Sequence, residues 1–151
     1  MKQEDKELLL KDLCARLPYG VIVREDTILY DDKNTTSCRV KKLSYVQIGK
    51  GFSRIKGFIH DYEYIYIPYL FPMSSMTEEQ HKEFYNIFPN SMSFSYTTRN
   101  ELVIYTDPEY DCDHAFESFV EMQDWLNAHF FDYRGLIEKG LAIDATGLNI
   151  Y

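Results

Sequence analysis

One segment near the middle of the chain alternates aromatic and branched side chains so regularly that it is typical of a β-strand. In YEYIYI, Tyr62, Tyr64 and Tyr66 face one side of such a strand, whereas Ile65 and Ile67 face the other. Both sides are aromatic or apolar, which favours a strand that is covered on both faces. We therefore predict a sheet with this strand inside it and a helix packed over its tyrosines.

Two helices are predicted in the first two thirds of the chain. Apolar residues at helical spacing indicate an amphipathic helix over residues 3–17, stopped before Gly20, and they place Cys14 on its buried side. Farther along, Thr77 and Gln80 have the spacing of a capping box, in which each side chain binds the other residue's backbone N–H. One helix is thus expected at the start of the chain and one in its middle.

A pair of helices is predicted near the end of the chain. The first covers residues 114–129, and a wide apolar stripe indicates that it is heavily buried. The stripe consists of Phe116, Phe119, Val120, Met122, Leu126 and Phe130. Asp132 is placed to cap a short last helix that Gly140 ends. Within this region Trp125 and Arg134 are interpreted as packing and helix-end residues.

The other elements are predicted to be short strands and turns. Besides the central strand, strand-forming residues occur at 20–24, 27–30, 38–48, 92–96 and 102–105. Glu25 and Asp26 are predicted to form the turn of a first hairpin, and the last two segments a second one. The glycine-rich segment 49–58 is predicted to be a turn or a flexible loop, and Pro68 to close the central strand.

These elements predict an α+β fold. We expect one compact domain over residues 1–151, with a mainly antiparallel sheet of five or six strands packed by an N-terminal helix, a middle helix and a C-terminal helix pair. A chain of 151 residues can bury roughly two-thirds of its unfolded surface without disulfides or metals. Its hydrophobic content of 45% is sufficient for a core of that kind.

The termini and the cysteines indicate a cytoplasmic protein. The start, MKQEDKELLL, mixes both signs of charge before only three leucines, which is unlike a signal peptide. No apolar run approaches the ~20 residues that span a bilayer. Cys14, Cys38 and Cys112 are odd in number and scattered, which favours reduced thiols.

The charge of the chain is unevenly distributed. The net charge is −8, yet residues 33–60 contain seven basic residues and no acidic ones. The basic strip, as we call this set, consists of Lys33, Arg39, Lys41, Lys42, Lys50, Arg54 and Lys56. An anionic ligand would find a cationic surface here, while the acidic remainder repels nucleic acid, which disfavours duplex DNA as a partner.

Aromatic residues within and after the basic strip complete a candidate ligand site. The residues we single out are Lys41, Lys42, Tyr45, Lys50, Phe52, Arg54, Lys56, Tyr64 and Tyr66. Aromatic faces next to cations suit stacking on bases and neutralising phosphates. The alternative is that the cations pair with the protein's own carboxylates and that the tyrosines belong to the core. The segment lacks the P-loop pattern.

Acidic residues at alternate positions form a weak metal candidate. They are Asp107, Glu109, Asp111 and Asp113. Carboxylates at this spacing offer oxygen ligands to Ca²⁺ or Mg²⁺, but the glycine and the final glutamate of an EF-hand loop are missing. Acidic residues before a helix are also favoured by the helix dipole. We therefore expect no metal and no cofactor.

Three stretches resemble a group of small uncharacterised proteins carried by gut bacteria and by their phages and mobile elements. The stretches are LLLKDLCARLPYGV, PYLFPMSSMTEEQ and WLNAHFFDYRGLIEKGLAI, about a third of the chain. The resemblance brings no catalytic residue with it. It implies an accessory protein, a class in which binding is more common than catalysis.

Together these features lead to a non-catalytic binding module of phage or mobile-element type. Its expected partner is a host protein or a small, nucleotide-like anion. One alternative is a metal-dependent enzyme acting on phosphodiesters, in which Lys50 or Arg54 meets Asp111 or His114 in a cleft. Another is a homo-oligomeric structural protein. No membrane association is expected.

Overall fold

Residues 1–29, 35–44, 51–55, 58–87, 92–96, 102–106 and 112–151 are described by the computed structural model, and they form an α+β fold. The helices are α1 (Gln3–Arg16), α2 (Glu78–Tyr85) and α3 (Cys112–Ala128). The strands are β1 (Ile22–Leu29), β2 (Thr35–Lys42), β3 (Gly51–Ile55), β4 (Phe58–Leu70), β5 (Met92–Tyr96), β6 (Leu102–Thr106) and β7 (Ile143–Asp144).

Four of these strands form an antiparallel sheet in the order β2-β1-β4-β3. The two-residue strand β7 joins the end of β4 in parallel, which makes the sheet mixed. The predicted second hairpin is confirmed, since β5 and β6 pair antiparallel, but they form a separate two-stranded sheet. The prediction of a single sheet with five or six strands is therefore not confirmed.

The first predicted hairpin is wrong, because β1 runs without a turn through Glu25 and Asp26. It lies between β2 and β4, and both residues pair with partners on each side. Glu25 is buried although it is charged, and its carboxylate accepts a hydrogen bond from Lys41 of β2. Asp26 pairs with Arg24 at 3.1 Å on the other face. Cations from the same sheet thus allow two acidic residues inside a central strand.

The glycine-rich segment is also more regular than predicted. Gly51–Ile55 forms β3, which pairs with Phe58–Tyr62 of β4. Its backbone hydrogen bonds are satisfied by a neighbouring strand, which local turn signals do not anticipate. β2 likewise begins earlier than predicted, at Thr35, and it ends at Lys42.

The central strand is confirmed as β4, but it is longer than predicted and Pro68 lies inside it. Pro68 pairs with Val23 of β1. The adjacent position is bridged by the hydroxyl of Tyr151, which accepts the N–H of Ile22 at 3.1 Å and donates to the C=O of Tyr69 at 2.8 Å. Because main-chain groups alternate in direction along a strand, the nitrogen of Pro68 faces away from β1. The β1–β4 ladder therefore loses no hydrogen bond at the proline.

Helix α1 is confirmed, but its buried side differs from the predicted one. The buried residues are Leu9, Asp12, Leu13 and Arg16, whereas Cys14 is exposed. This set follows the i, i+3, i+4, i+7 spacing of one helix face. The face was missed because it contains a carboxylate and a guanidinium, which sequence patterns assign to the solvent side.

Asp12 and Arg16 are both fully buried and form a bidentate ion pair. The guanidinium donates from Nε at 2.8 Å and from Nη2 at 3.0 Å to the two carboxylate oxygens. It also donates to the backbone C=O of Phe131 at 2.7 Å and of Leu126 at 3.4 Å. A buried charge is tolerated only with partners of this kind, since an uncompensated ion in the interior costs several kcal/mol.

A second arginine extends the pair to the end of the chain. Arg134 donates to Asp12 at 2.9 Å, so that one carboxylate binds two guanidinium groups. The ring of Tyr133 lies against both arginines, 5.5 Å from Arg16 and 4.6 Å from Arg134. Its hydroxyl donates to Asn127 at 3.2 Å. We call Asp12, Arg16, Tyr133 and Arg134 the buried ion network.

The remaining helical predictions are confirmed in part. The Thr77–Gln80 capping box is present at the start of α2. In α3 Met122 and Leu126 are buried as predicted, whereas Val120 is exposed. Asp132 accepts the N–H groups of the fourth and fifth residues after it, at 2.9 and 2.7 Å, but turns follow instead of the predicted last helix.

The described core consists of two apolar clusters. One packs α1 against the sheet, with Leu13, Val23, Tyr66, Leu70 and Leu136 among its members. The other packs α2 against the end of α3 and contains Met73, Phe84, Met122, Trp125 and Phe131. Trp125 stacks parallel to Phe131 at 5.7 Å, in agreement with the packing role predicted for it.

Replacement of Arg16 by Met tests the buried ion network. The change removes the guanidinium donor from the carbonyls of Leu126 and Phe131, which keep one backbone N–H each, and leaves the buried Asp12 carboxylate with one cation fewer. We therefore expect a loss of about 3–5 kcal/mol in the free energy of unfolding. Urea denaturation measures it. The control is Lys11→Met, an exposed position on the same helix, for which the change should stay within about 0.5 kcal/mol. Equal effects of the two variants would contradict this assignment.

The Tyr151 hydroxyl gives a pH-dependent prediction. Burial raises the pKa of Tyr151 to about 12, although the backbone N–H of Ile22 opposes the shift. The neutral hydroxyl therefore stabilises the fold fully below about pH 10, the ordinary value, and this stabilisation is lost as the pH rises towards 12. We expect Tyr151→Phe to be less stable by roughly 1–3 kcal/mol at pH 7 and the difference from wild type to shrink between pH 10 and 12. A difference that does not depend on pH would contradict it.

Candidate functional site

The sheet separates the basic strip into two parts. Lys41 and Lys42 are on β2, whereas Phe52 and Arg54 are on β3, and β2 and β3 are opposite edges of the four-stranded sheet. Three strand spacings of ~4.8 Å separate these edges, about 14 Å in all. The predicted single ligand site is therefore divided between two edges.

Several predicted site residues lie outside the described part of the chain. These are Tyr45, Lys50, Lys56, Asp107, Glu109 and Asp111. Asp113 falls in the first turn of α3 rather than in the predicted loop. Among the described residues, no three His, Cys, Asp or Glu side chains are grouped so that they could hold a metal ion. The metal candidate and the enzyme alternative built on it stay predictions.

On one face of β2, two cations share the carboxylate of Glu25. Lys41 donates to it directly, and the Nε of Arg39 lies 3.8 Å from it. The ammonium of Lys41 also lies 5.4 Å from the centre of the Tyr66 ring. The predicted alternative, in which the strip pairs with the protein's own acids, thus holds for Lys41. Arg39 remains largely open, with 68% of its side chain exposed.

Tyr64 and Tyr66 are placed as core residues. Tyr66 is buried, and Tyr64 packs against the same cluster. Their rings are stacked on each other with centroids 6.2 Å apart. The Tyr66 ring thus contacts both the Tyr64 ring and the Lys41 ammonium group. This placement gives no support to the predicted stacking of a ligand base on these tyrosines.

The outer edge of β2 presents main-chain groups that no described strand pairs with. The N–H of Leu43 donates to the C=O of Val21 at 2.8 Å, which shows which residues of β2 direct their main-chain groups toward β1. In an antiparallel ladder the hydrogen-bonding direction alternates, so Lys41 and Arg39 point their main-chain groups toward β1. Lys42 and Val40, like Cys38, therefore direct their N–H and C=O groups outward.

The side chains at this edge are exposed and mostly basic. Val40 is 57% exposed, Lys42 is exposed, and neither is covered by a described element. The aliphatic part of Lys42 passes so close to Gly20 that a methyl group there would overlap it. The basic strip predicted from the sequence includes Arg39, but neither Val40 nor the unpaired main-chain edge of β2 was predicted. A cation-rich strand is a known signature of a sheet edge, and it was the available signal.

The thiol of Cys38 lies on the second face of this edge, beside Asp26. A hydrogen bond to the Asp26 carboxylate raises the pKa of Cys38, with smaller contributions from burial and from the carboxylate charge, while Arg24 opposes them. The thiol is exposed, and because the thiolate is the reactive form, the raised pKa lowers its reactivity at neutral pH.

Comparison of the chain with protein-family models, with curated proteins and with solved structures found no match. In the described residues, no helix is both long enough and apolar enough to cross a membrane.

Alkylation of Cys38 tests the electrostatics of this edge. Asp26→Asn removes the carboxylate that raises the thiol pKa, so we expect iodoacetamide to react about two to five times faster with Cys38 at pH 8. Site-resolved mass spectrometry measures the rate. Cys14, which is exposed on α1, serves as the internal control and should react at its wild-type rate. An unchanged rate at Cys38 would show that Asp26 does not control the thiol.

Proposed function

We propose that this protein is a non-catalytic binding module that recognises an acidic segment of a protein partner through the outer edge of β2. The observation that carries the proposal is the position of Arg39 and Lys42, two exposed cations on a strand whose outer main-chain groups meet no described strand. The resemblance to phage and mobile-element proteins favours a host protein as that partner.

Charge supports an acidic partner. The cations of β1 and β2 exceed the acids, because Arg24, Arg39, Lys41 and Lys42 face only Glu25 and Asp26. The whole chain nevertheless carries a net charge of −8. An acidic segment is repelled by most of the surface and attracted at this edge, which selects both the location and the orientation of binding.

The shape of the edge favours an extended segment over a small ligand. Nucleotide sites are concave and enclose most of the ligand, whereas β2 is an open strand whose side chains project on both faces. An open depression of about 300 Å³ lies beside α2 instead, lined by His81, Lys82, Tyr85 and Asn86, none of which belongs to the basic strip. The small-anion version of the proposal is therefore less well supported than the protein version.

Neutralisation of the two exposed cations tests the proposal. As the probe we choose a blocked peptide of alternating Glu and Val, with ATP as a second ligand that represents small anions. We expect Arg39→Gln with Lys42→Gln to weaken peptide binding about five- to tenfold at low salt, because two favourable charges are lost. Fluorescence anisotropy of the labelled peptide measures it.

The matched control has the same net charge. In Lys11→Gln with Lys139→Gln, two exposed lysines outside the basic strip are neutralised, and we expect binding within about twofold of wild type. Equal losses in the two double variants, or no binding of the peptide by wild type, would overturn the proposal. Tight binding of ATP that depends on Arg39 and Lys42 would favour the small-anion alternative.

A further inference from the structure

We infer that the acidic segment binds as an additional antiparallel strand, hydrogen-bonded to the outward main-chain groups of Cys38, Val40 and Lys42. This inference rests on the proposed function and adds the mode of recognition and the sequence pattern of the partner. It depends on which main-chain groups of β2 point outward, an observation that is independent of side-chain charge.

The backbone of β2 is prepared for such a strand. The inner ladder to β1 holds residues Ser37–Lys42 in register, so the outward N–H and C=O groups of every second residue are fixed in line. Each of these residues can exchange two hydrogen bonds with the residue opposite it in an added antiparallel strand. Because the edge is already ordered, little conformational entropy is lost on the protein side.

The two faces of the β2 edge predict which types of side chain alternate along the partner segment. On the first face, Arg39 neighbours the added strand, and 68% of its side chain is exposed. On the second face, Val40 is the exposed apolar residue between a thiol and Lys42. Side chains of paired residues lie on the same face. The partner segment should therefore alternate acidic residues with small apolar ones.

Pairing with a second copy of the chain is disfavoured in the registers centred on Val40 and on Lys42. In an antiparallel β2–β2 pair centred on Val40, Arg39 of one copy would lie opposite Lys41 of the other, and this contact would occur twice. Centring the pair on Lys42 would place two ammonium groups opposite each other. Like charges directly opposite are destabilising, and basic residues are a means by which edge strands avoid self-association. The charges that reject a copy attract an acidic strand.

The variant Val40→Pro tests the inference. Proline removes the outward N–H of residue 40 but none of the bonds to β1, and edge strands tolerate proline where the N–H faces solvent. We expect binding of the Glu-Val peptide to fall about tenfold or more. The control is Val40→Thr, which keeps the N–H and the branched shape and should bind within about twofold. Unchanged binding by a folded Val40→Pro protein would overturn strand addition.

Amide hydrogen exchange of the wild-type protein provides a test that needs no variant. Without peptide, the outward N–H groups of Val40 and Lys42 should exchange faster than the inward ones of Arg39 and Lys41. Saturating peptide should slow the outward set about tenfold or more. A peptide N-methylated on its valines, whose N–H groups would face β2, should not produce this protection. If the peptide slowed exchange at other amides but not at the outward N–H groups of Val40 and Lys42, the inference would be contradicted.

The two proposals fail in different ways. Loss of binding in Arg39→Gln with Lys42→Gln, together with full binding by Val40→Pro, keeps the acidic partner and removes strand addition. Absence of peptide binding by wild type at any salt concentration removes both. Binding that ATP competes for, and that Val40→Pro leaves intact, assigns the edge to small anions.

Discussion

The Asp12 carboxylate holds the N-terminal helix against the segment that follows α3. It accepts hydrogen bonds from Arg16 within α1 and from Arg134 near the end of the chain, and all three groups are largely or wholly buried. Arg16 in turn binds the backbone carbonyl of Phe131 at the turn after α3. Because a buried charge without a partner is so costly, this geometry leaves few alternative arrangements of α1 against α3.

Three segments of the chain, residues 8–21, 68–80 and 125–143, are joined at this place. The first contributes Asp12 and Arg16, the last contributes Tyr133 and Arg134, and the second reaches the last through a parallel bridge at Phe71. These segments supply many of the buried residues, although Val23, Tyr66 and Phe84 lie outside them. The β2 edge lies outside all three.

The sequence predicted elements that depend on neighbouring residues and missed those that depend on distant ones. The Thr77 capping box and the alternation in β4 are local, and both are present. The continuity of β1 through Glu25 could not be foreseen, because the cations that neutralise this carboxylate belong to another strand. The same holds for the buried side of α1, where Asp12 was expected in solvent.

Of the candidate site, only its excess of basic residues could be predicted from the sequence. The excess of basic residues over positions 33–60 includes β2, but strand order places Arg54 at the opposite edge of the sheet. Strand order depends on pairing between distant segments, which single-sequence patterns do not contain. A single hydrogen bond, from the N–H of Leu43 to the C=O of Val21, shows which main-chain groups of β2 point outward. No residue type in the sequence predicts this direction.

Gly20 connects the interior of the protein to its surface. Its φ of +75° ends the turn after α1, a conformation that other residues adopt only with strain. The absence of a side chain also leaves the space through which the stem of Lys42 passes. A larger residue here would displace an ammonium group of the edge as well as strain the turn. The position of one cation on β2 is thereby tied to a backbone position in a different segment.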